Sequence, residues 1–355
     1  MHVKEVLILN RRCIKHPERG GAEVYTLELA KALAEQGHDV EWFSSRAKGL
    51  NDSEEIEGIT FVRKGNELTT HFYGMLYALK KRNWLIIDEF NGLGFLTFFM
   101  HNSTILIYQL YSEFWIAELG IPGYFLKIIE RLLLRLYRKR PAITISESTA
   151  MDLRGLGFSD ITIIHCGLDS DVLDHVPDKE KTPTLLYLGR LKRTKNSEDA
   201  IRAFLKIKET LGTAKLWIAG DGPLYGYLTE KYGRYSDIHF WGFVDDRVKH
   251  DLLRRAHFLL VPSIREGWGL VVIEANAAGT PAIGYKVKGL IDSILDGRTG
   301  ILVDDPASMA AQAIACWQNK KKYDSLCTQA LEWAKEFTWT KTREQFIRHL
   351  DRGLS

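Results

Sequence analysis

Short apolar runs alternate with segments of helical spacing from one end of the chain to the other. Val3–Leu9 reads as a first strand, and Ala22–Gln36 carries Val24, Leu27, Leu29, Ala30 and Leu33 at helical spacing before Gly37 stops it. Val40–Phe43, Thr60–Val62, Leu85–Ile87, Ile105–Tyr108 and Ala142–Ile145 read as further strands. The pattern restarts with Thr184–Leu188, Lys215–Ile218, Ile238–Phe240, His257–Val261, Pro281–Ile283 and Gly300–Val303. Strands of continuous Val, Ile and Leu, separated by helices, predict parallel sheets buried on both faces in an α/β fold. Gly167–Pro183 is polar and acidic, lacks periodicity and carries two prolines. It divides the chain into a domain at 1–168, a linker at 169–182 and a domain at 183–338. The segment 339–355 is helix-forming and is expected to return to the first domain. Two α/β domains about a linker predict a ligand cleft.

The composition changes this picture little. A chain of 355 residues suits two domains at roughly 150 residues each. Hydrophobic residues at 45% and charged residues at 26% exclude a disordered chain. A formal charge of +3 is too balanced for a dedicated nucleic-acid coat, so any anion site must be local. Cys13, Cys166, Cys316 and Cys327 lie far apart without a C-x-x-C pair, which argues against zinc or a disulfide framework and for a reducing, cytoplasmic compartment. Charges within Met1–Glu5 give no secretory signal, and His101–Thr104 interrupts the longest apolar stretch, Leu93–Leu110.

The candidate chemistry gathers in a few turns. In Ser263–Pro281 two glycines, Gly267 and Gly269, sit between a strand end and a helix that stops at Gly279. Glycines let backbone approach a ligand, and a helix start offers unpaired N–H groups to an anion. Glu266 falls in the turn and Glu274 about 7 Å along the helix at 1.5 Å per residue. Two carboxylates flanking an anion site suit a diphosphate with hydroxyls at both ends; the plain alternative is a solvent-exposed Glu266 and a Glu274 that merely decorates a helix. The run Gly189-Arg190-Leu191-Lys192-Arg193-Thr194-Lys195-Asn196 puts cations at the C-terminal edge of a strand, where open α/β sheets bind ligands. Taken alone, it reads better as a solvated basic loop. Gly220-Asp221-Gly222-Pro223 is a tight turn, ordinary on its own. Arg19-Gly20-Gly21-Ala22-Glu23 precedes the first helix but lacks the spacing of a dinucleotide fingerprint.

Together these segments resemble family 4 of the retaining glycosyltransferases, which have the GT-B fold of two Rossmann-like domains with parallel sheets facing across a cleft. The resemblance rests on Glu266-x7-Glu274 with its glycines, the GRLKRTKN run, the GDGP turn and RGGAE, spread in order over almost the whole chain. It implies that Arg190 and Lys195 hold a donor diphosphate, that Glu266 binds hydroxyls of the transferred sugar, and that Glu274 binds the ribose. Gly20 and Gly21 would lie beneath the donor phosphates, with Gly189 and Gly222 also on the donor side. The backbone of Trp268, Gly269 and Leu270 would line the sugar and phosphate pocket. Two departures stand out. Tyr108 occupies a place where the family often has a histidine facing the sugar, and is a weaker candidate because it does not titrate near neutrality. His165-Cys166-Gly167 replaces the usual Pro-Asn-Gly; without further ligands this pair reads as structural.

The implied reaction moves a hexose from a UDP- or GDP-sugar, with a slight lean to UDP, onto a hydroxyl of a sugar acceptor, retaining configuration. The late acidic pairs Asp245-Asp246 and Asp304-Asp305 lack Asp-x-Asp spacing, so no metal and no cofactor is expected. Fixed cations and helix-start N–H groups would neutralise the leaving group. The segment 124–140 places Lys127, Arg131, Arg135 and Lys139 on one helical stripe beside an apolar face, the pattern of a helix lying on an anionic membrane. A crossover helix with its basic face in water fits the same pattern. The membrane reading makes the acceptor a lipid-linked glycan, glycolipid or cell-surface polysaccharide precursor, handled peripherally at the cytoplasmic face. Two other readings share the architecture: a sugar-phosphate synthase or phosphorylase, and a non-catalytic sugar-nucleotide binding protein.

Overall fold

A computed structural model of the chain describes residues 5–169 and 171–352. Among these, 5–116, 120–167 and 338–352 form one compact unit, and 117–119 with 168–337 form the other. Val3 and Lys4 of the first expected strand, Ser170 of the expected linker and residues 353–355 of the expected last helix lie outside the described residues.

The first unit holds strands β1 (Glu5–Leu9), β2 (Asp39–Ser44), β3 (Ser53–Ile56), β4 (Ile59–Arg63), β5 (Leu85–Glu89), β6 (Ser103–Ile107), β7 (Ala142–Thr144) and β8 (Ile161–Ile163). They lie in the order β3-β4-β2-β1-β5-β6-β7-β8. Seven are parallel. β3 runs antiparallel to β4 and corrects the expectation of a wholly parallel sheet. Its sequence, Ser-Glu-Glu-Ile, has no apolar run. Pairing comes instead from a two-residue turn in which Glu57 and Gly58 both take positive φ, 54° and 74°, the geometry that matches hairpin twist. Glu54 is then held by Arg63 at 2.7 Å. The helix Trp339–Arg352 belongs to this unit. Arg343 Nε donates to Glu28 at 2.9 Å, Thr342 Oγ1 donates to the His165 carbonyl at 2.8 Å, and Phe346 is fully buried.

The second unit holds β9 (Thr184–Leu188), β10 (Lys215–Ala219), β11 (Ile238–Gly242), β12 (Phe258–Val261), β13 (Ala282–Tyr285) and β14 (Gly300–Val303), in the order β11-β10-β9-β12-β13-β14. Alternate residues of one strand feed opposite cores. Leu185 and Tyr187 pack with helix 197–211, whereas Leu186 packs with helices 246–255 and 270–277. Burial on both faces explains the unbroken apolar runs. The polar stretch before β9 is fastened to this unit: Leu173 N donates to the Ala277 carbonyl and Glu180 N to that of Arg255, each at 3.0 Å. All four cysteines are free and buried. No helix among the described residues is long and apolar enough to cross a membrane.

Candidate functional site

In the second sheet the order reverses between β9 and β12, the place where open α/β sheets bind ligands. The loops that leave β9, β12 and the neighbouring β10 are stitched together through backbone. Ile264 N donates to the Thr194 carbonyl at 3.1 Å, Gly189 N to that of Ala219 at 3.0 Å, and Leu191 N to that of Asp221 at 2.9 Å. Glycine is demanded in the 220–223 turn. A Cβ on Gly220 would sit 2.0 Å from the Gly189 carbonyl oxygen, and one on Gly222 would sit 2.6 Å from that of Leu191.

This framework brings the Lys195 ammonium into an ion pair with the Glu266 carboxylate. The same carboxylate oxygen accepts from Ser263 Oγ at 2.7 Å, and Glu266 N donates to the Lys288 carbonyl at 3.0 Å. Arg190 is exposed at the rim, its carbonyl taken by the Tyr187 hydroxyl at 3.0 Å. Lys192 joins them. Burial, and then the neighbouring charge of Lys195, lowers its pKa, so three cations crowd one strand end. Gly269 caps the helix Leu270–Ala277 with φ of 85°, and a Cβ there would fall 2.9 Å from Leu290 Cδ2. The Trp268 ring is buried, with its centroid 5.2 Å from that of Phe337, so only its backbone is placed to line the turn.

Glu274 is not part of the Lys195–Glu266 pair. Its carboxylate accepts from Lys249 Nζ at 3.0 Å. Burial pushes the Glu274 pKa up while the Lys249 charge pulls it back. A cavity of about 370 Å³ opens beside it, lined among others by Asp169, Asp171, His250 and Arg254. Lys249 and Ser263 were not among the residues expected at the site. Lys249 lies 25 residues before its partner, and no spacing rule joins the two.

Gly20, Gly21 and Tyr108 belong to the first unit. Gly20 precedes the helix Gly21–Glu35, and its N–H donates to Glu23 Oε2 at 2.7 Å. Tyr108 lies just past the end of β6 and is buried. Its hydroxyl is 2.8 Å from Thr26 Oγ1, donates to the Ala22 carbonyl at 3.0 Å, and stands 3.3 Å from Glu89 Oε2. Thr26 Oγ1 in turn donates to Glu89 Oε1 at 2.5 Å. Glu89 is buried at the end of β5, beside β1, and desolvation drives its pKa well up. The structure therefore puts the Tyr108 hydroxyl into a packed network under the helix start. Glu89 was likewise not among the residues expected at the site; its one signal is the acidic pair Asp88-Glu89 that closes the apolar run Leu85–Ile87. The Cys166 thiol is buried and pushed up to about 12, an unreactive state, and His165 Nδ1 lies 2.9 Å from the Ile145 carbonyl.

Two Rossmann-like units, the second with cations and a glutamate gathered at its sheet reversal, define the GT-B class of fold. Residues 19–172 match the family described as Glycosyltransferase Family 4, and residues 172–333 match the one described as Glycosyl transferases group 1. The chain belongs to the family 4 glycosyltransferases. It is 31% identical over 188 residues to glycogen synthase of Mycobacterium tuberculosis, a match covering 47% of this chain and 45% of that protein. The chain thus spans about half the length of that relative. It is 24% identical to phosphatidyl-myo-inositol mannosyltransferase of Mycobacterium leprae, over 93% of this chain and 92% of that one. Sucrose-phosphate synthase from Thermosynechococcus elongatus superposes with a TM-score of 0.80 at 19% identity, covering 99% of each chain, a likeness of fold.

Proposed function

We propose that this protein transfers a hexose from a nucleotide diphosphate sugar, UDP- or GDP-linked, to a hydroxyl of a sugar acceptor, with retention of configuration and without a metal. The observation that carries the reading is the Lys195–Glu266 ion pair, set among Arg190 and Lys192 where the second sheet reverses. Arg190 and Lys195 neutralise charge building on the diphosphate as the C1–O bond to phosphate breaks. Their positions are fixed before reaction, so little reorganisation is needed. The acceptor oxygen bonds C1 from the same face, and its proton passes to the departing phosphate oxygen. No protein nucleophile is required. Glu266 is then a positioning residue for sugar hydroxyls, and Glu274 serves the ribose. In the first unit, the helix that begins at Gly21 presents backbone N–H groups of the kind that suit a phosphate.

The acidic pairs support metal-independence through their own employment. Asp245 accepts from Val248 N and Asp305 from Ser308 N, each at 2.8 Å, so both serve as helix caps. For the acceptor we favour a lipid-linked glycan or glycolipid reached at the cytoplasmic face. The mannosyltransferase relative is named for a lipid acceptor, and the segment 124–140 is basic and apolar.

A thermal-shift screen against UDP, GDP, ADP and their sugar conjugates, with and without EDTA, tests the donor. A ligand at a hundredfold excess over its dissociation constant adds about 2.7 kcal/mol of stability. The expected outcome is a rise with one nucleotide class that EDTA leaves intact and Arg190→Ala removes. A rise that requires Mn²⁺ or Mg²⁺ would overturn the metal-free reading, and no rise with any nucleotide would overturn the donor site.

A further inference from the structure

The helix Ile121–Tyr137 has two apolar sides. Gly123, Leu134 and Tyr137 are buried against the first unit. Roughly half a turn away, at 3.6 residues per turn, Ile121, Tyr124, Phe125, Ile128 and Leu132 are each more than 50% exposed. A helix on the surface of a soluble unit normally turns polar residues outward. The helix Thr70–Lys80 repeats the arrangement, with Thr70, Gly74 and Ala78 buried and Phe72, Leu76 and Leu79 exposed. The segment 91–102 joins the two. Phe95 packs so closely on Gly74 that a Cβ there would lie 2.3 Å from its ring, and Phe98 meets Tyr137 with centroids 5.8 Å apart. Around those anchors Leu93, Leu96 and Phe99 face solvent. Thirteen of the 21 large hydrophobics exposed among the described residues therefore lie on these three adjoining segments. Scattered exposed leucines need no explanation, but a continuous patch marks an interface.

Charge selects the occupant. Across 68–82, 91–102 and 120–140 there are nine Lys or Arg and one acid, Glu130. Glu130 is buried and accepts from Tyr111 N at 2.6 Å and Ser112 Oγ at 3.1 Å, so it does not offset the surface. A second copy of the chain docking face to face would set these cations against their own kind. An anionic bilayer answers both features, since headgroups meet the cations while the apolar side chains enter the acyl boundary. We infer that helix 70–80, segment 91–102 and helix 121–137 form one membrane-docking surface on the first unit, of which the basic helix is a single part. The inference deepens, and rests on, the reading of a lipid-linked acceptor.

Flotation of the full chain with phosphatidylcholine vesicles, with and without phosphatidylglycerol, tests it without turnover. The wild type should float with the anionic vesicles only. Phe72→Ser combined with Leu76→Ser leaves every cation in place, yet should weaken partitioning tenfold or more. Neutralising Lys127, Arg131, Arg135 and Lys139 to Gln should do the same, and unchanged nucleotide-induced thermal shifts would show that both variants are folded. A wild type that stays at the bottom of the gradient overturns the inference. So does a Phe72/Leu76 variant that floats like the wild type, which would confine binding to the basic helix. A dimer that Phe125→Ser dissociates, with no flotation, would assign the surface to a second copy. Flotation that persists where no nucleotide shifts the melting point would sink the donor reading and leave this one standing.

Discussion

The two sheet reversals of this molecule are built to opposite plans. In the second unit, Lys195, Glu266 and Arg190 stand at strand ends where solvent reaches them, held by backbone stitching between loops. In the first, Glu89, Thr26 and Tyr108 are sealed beneath a helix start, and burial pushes the pKa of the Glu89 carboxyl well up. An open charged cluster is ready to meet an anion. A closed network of a buried acid and hydroxyls has its hydrogen bonds already spent within the fold. The two places therefore answer differently to mutation: the first plan should lose chemistry, the second should change its dependence on pH.

The largest effect should come from Lys195→Ala. Removing one preorganised charge-stabilising group typically costs about 10²–10³ in rate, and this variant also strips Glu266 of its cation. Steady-state kinetics with the identified donor should show that fall in kcat/KM with the melting temperature almost unmoved. A value within a few-fold of wild type would mean that the pair is a structural tie and that the contrast between the two reversals has no catalytic content.

A smaller effect tests the other end of the donor. Lys249→Met leaves Glu274 buried without its ammonium partner, so the carboxyl takes up a proton more readily and becomes a poorer acceptor for ribose hydroxyls. The donor KM should rise about tenfold, near 1.4 kcal/mol, with kcat little changed. The deficit should narrow as pH rises and Glu274 ionises, and Lys249→Arg should restore most of the affinity. A pH-independent loss that Arg does not rescue would reduce Lys249 to a packing residue.

How much of this was readable in advance follows the same division. Thr184–Leu188 and Gly300–Val303 form strands to the residue, because a strand buried on both faces must be apolar throughout. The Glu266 turn and the 189–196 run were legible because glycine and cation requirements are local. β3 was not, since its two glutamates are placed by a hairpin partner rather than by any core. The Lys249–Glu274 and Tyr108–Glu89 pairs join residues 25 and 19 positions apart. They meet through helix packing in one case and neighbouring strand ends in the other, and neither leaves a periodic trace. Tyr108 shows the cost of reading one position alone. Its place in the family pattern suggested a sugar contact, while its surroundings commit the hydroxyl to Ala22, Thr26 and Glu89.

The gentlest effect is a slope rather than a loss, and it addresses the sealed reversal directly. Folding raises the Glu89 pKa above its ordinary 4.5, mainly through desolvation. The folded chain then keeps a proton that the unfolded chain releases. Stability from this group is full below about pH 4.5 and is lost as pH rises through the folded value. Glu89→Gln keeps a carbonyl oxygen to accept from Thr26 and carries no proton to lose. Urea midpoints taken between about pH 5 and pH 8 should fall with rising pH more steeply in the wild type than in the variant. Glu23, Asp88 and Glu274 are raised by burial in the same direction, so the variant should keep a residual slope. Equal slopes would mean that Glu89 is ionised in the folded protein. The first reversal would then hold a buried anion, and the difference between the two plans would shrink to one of solvent access.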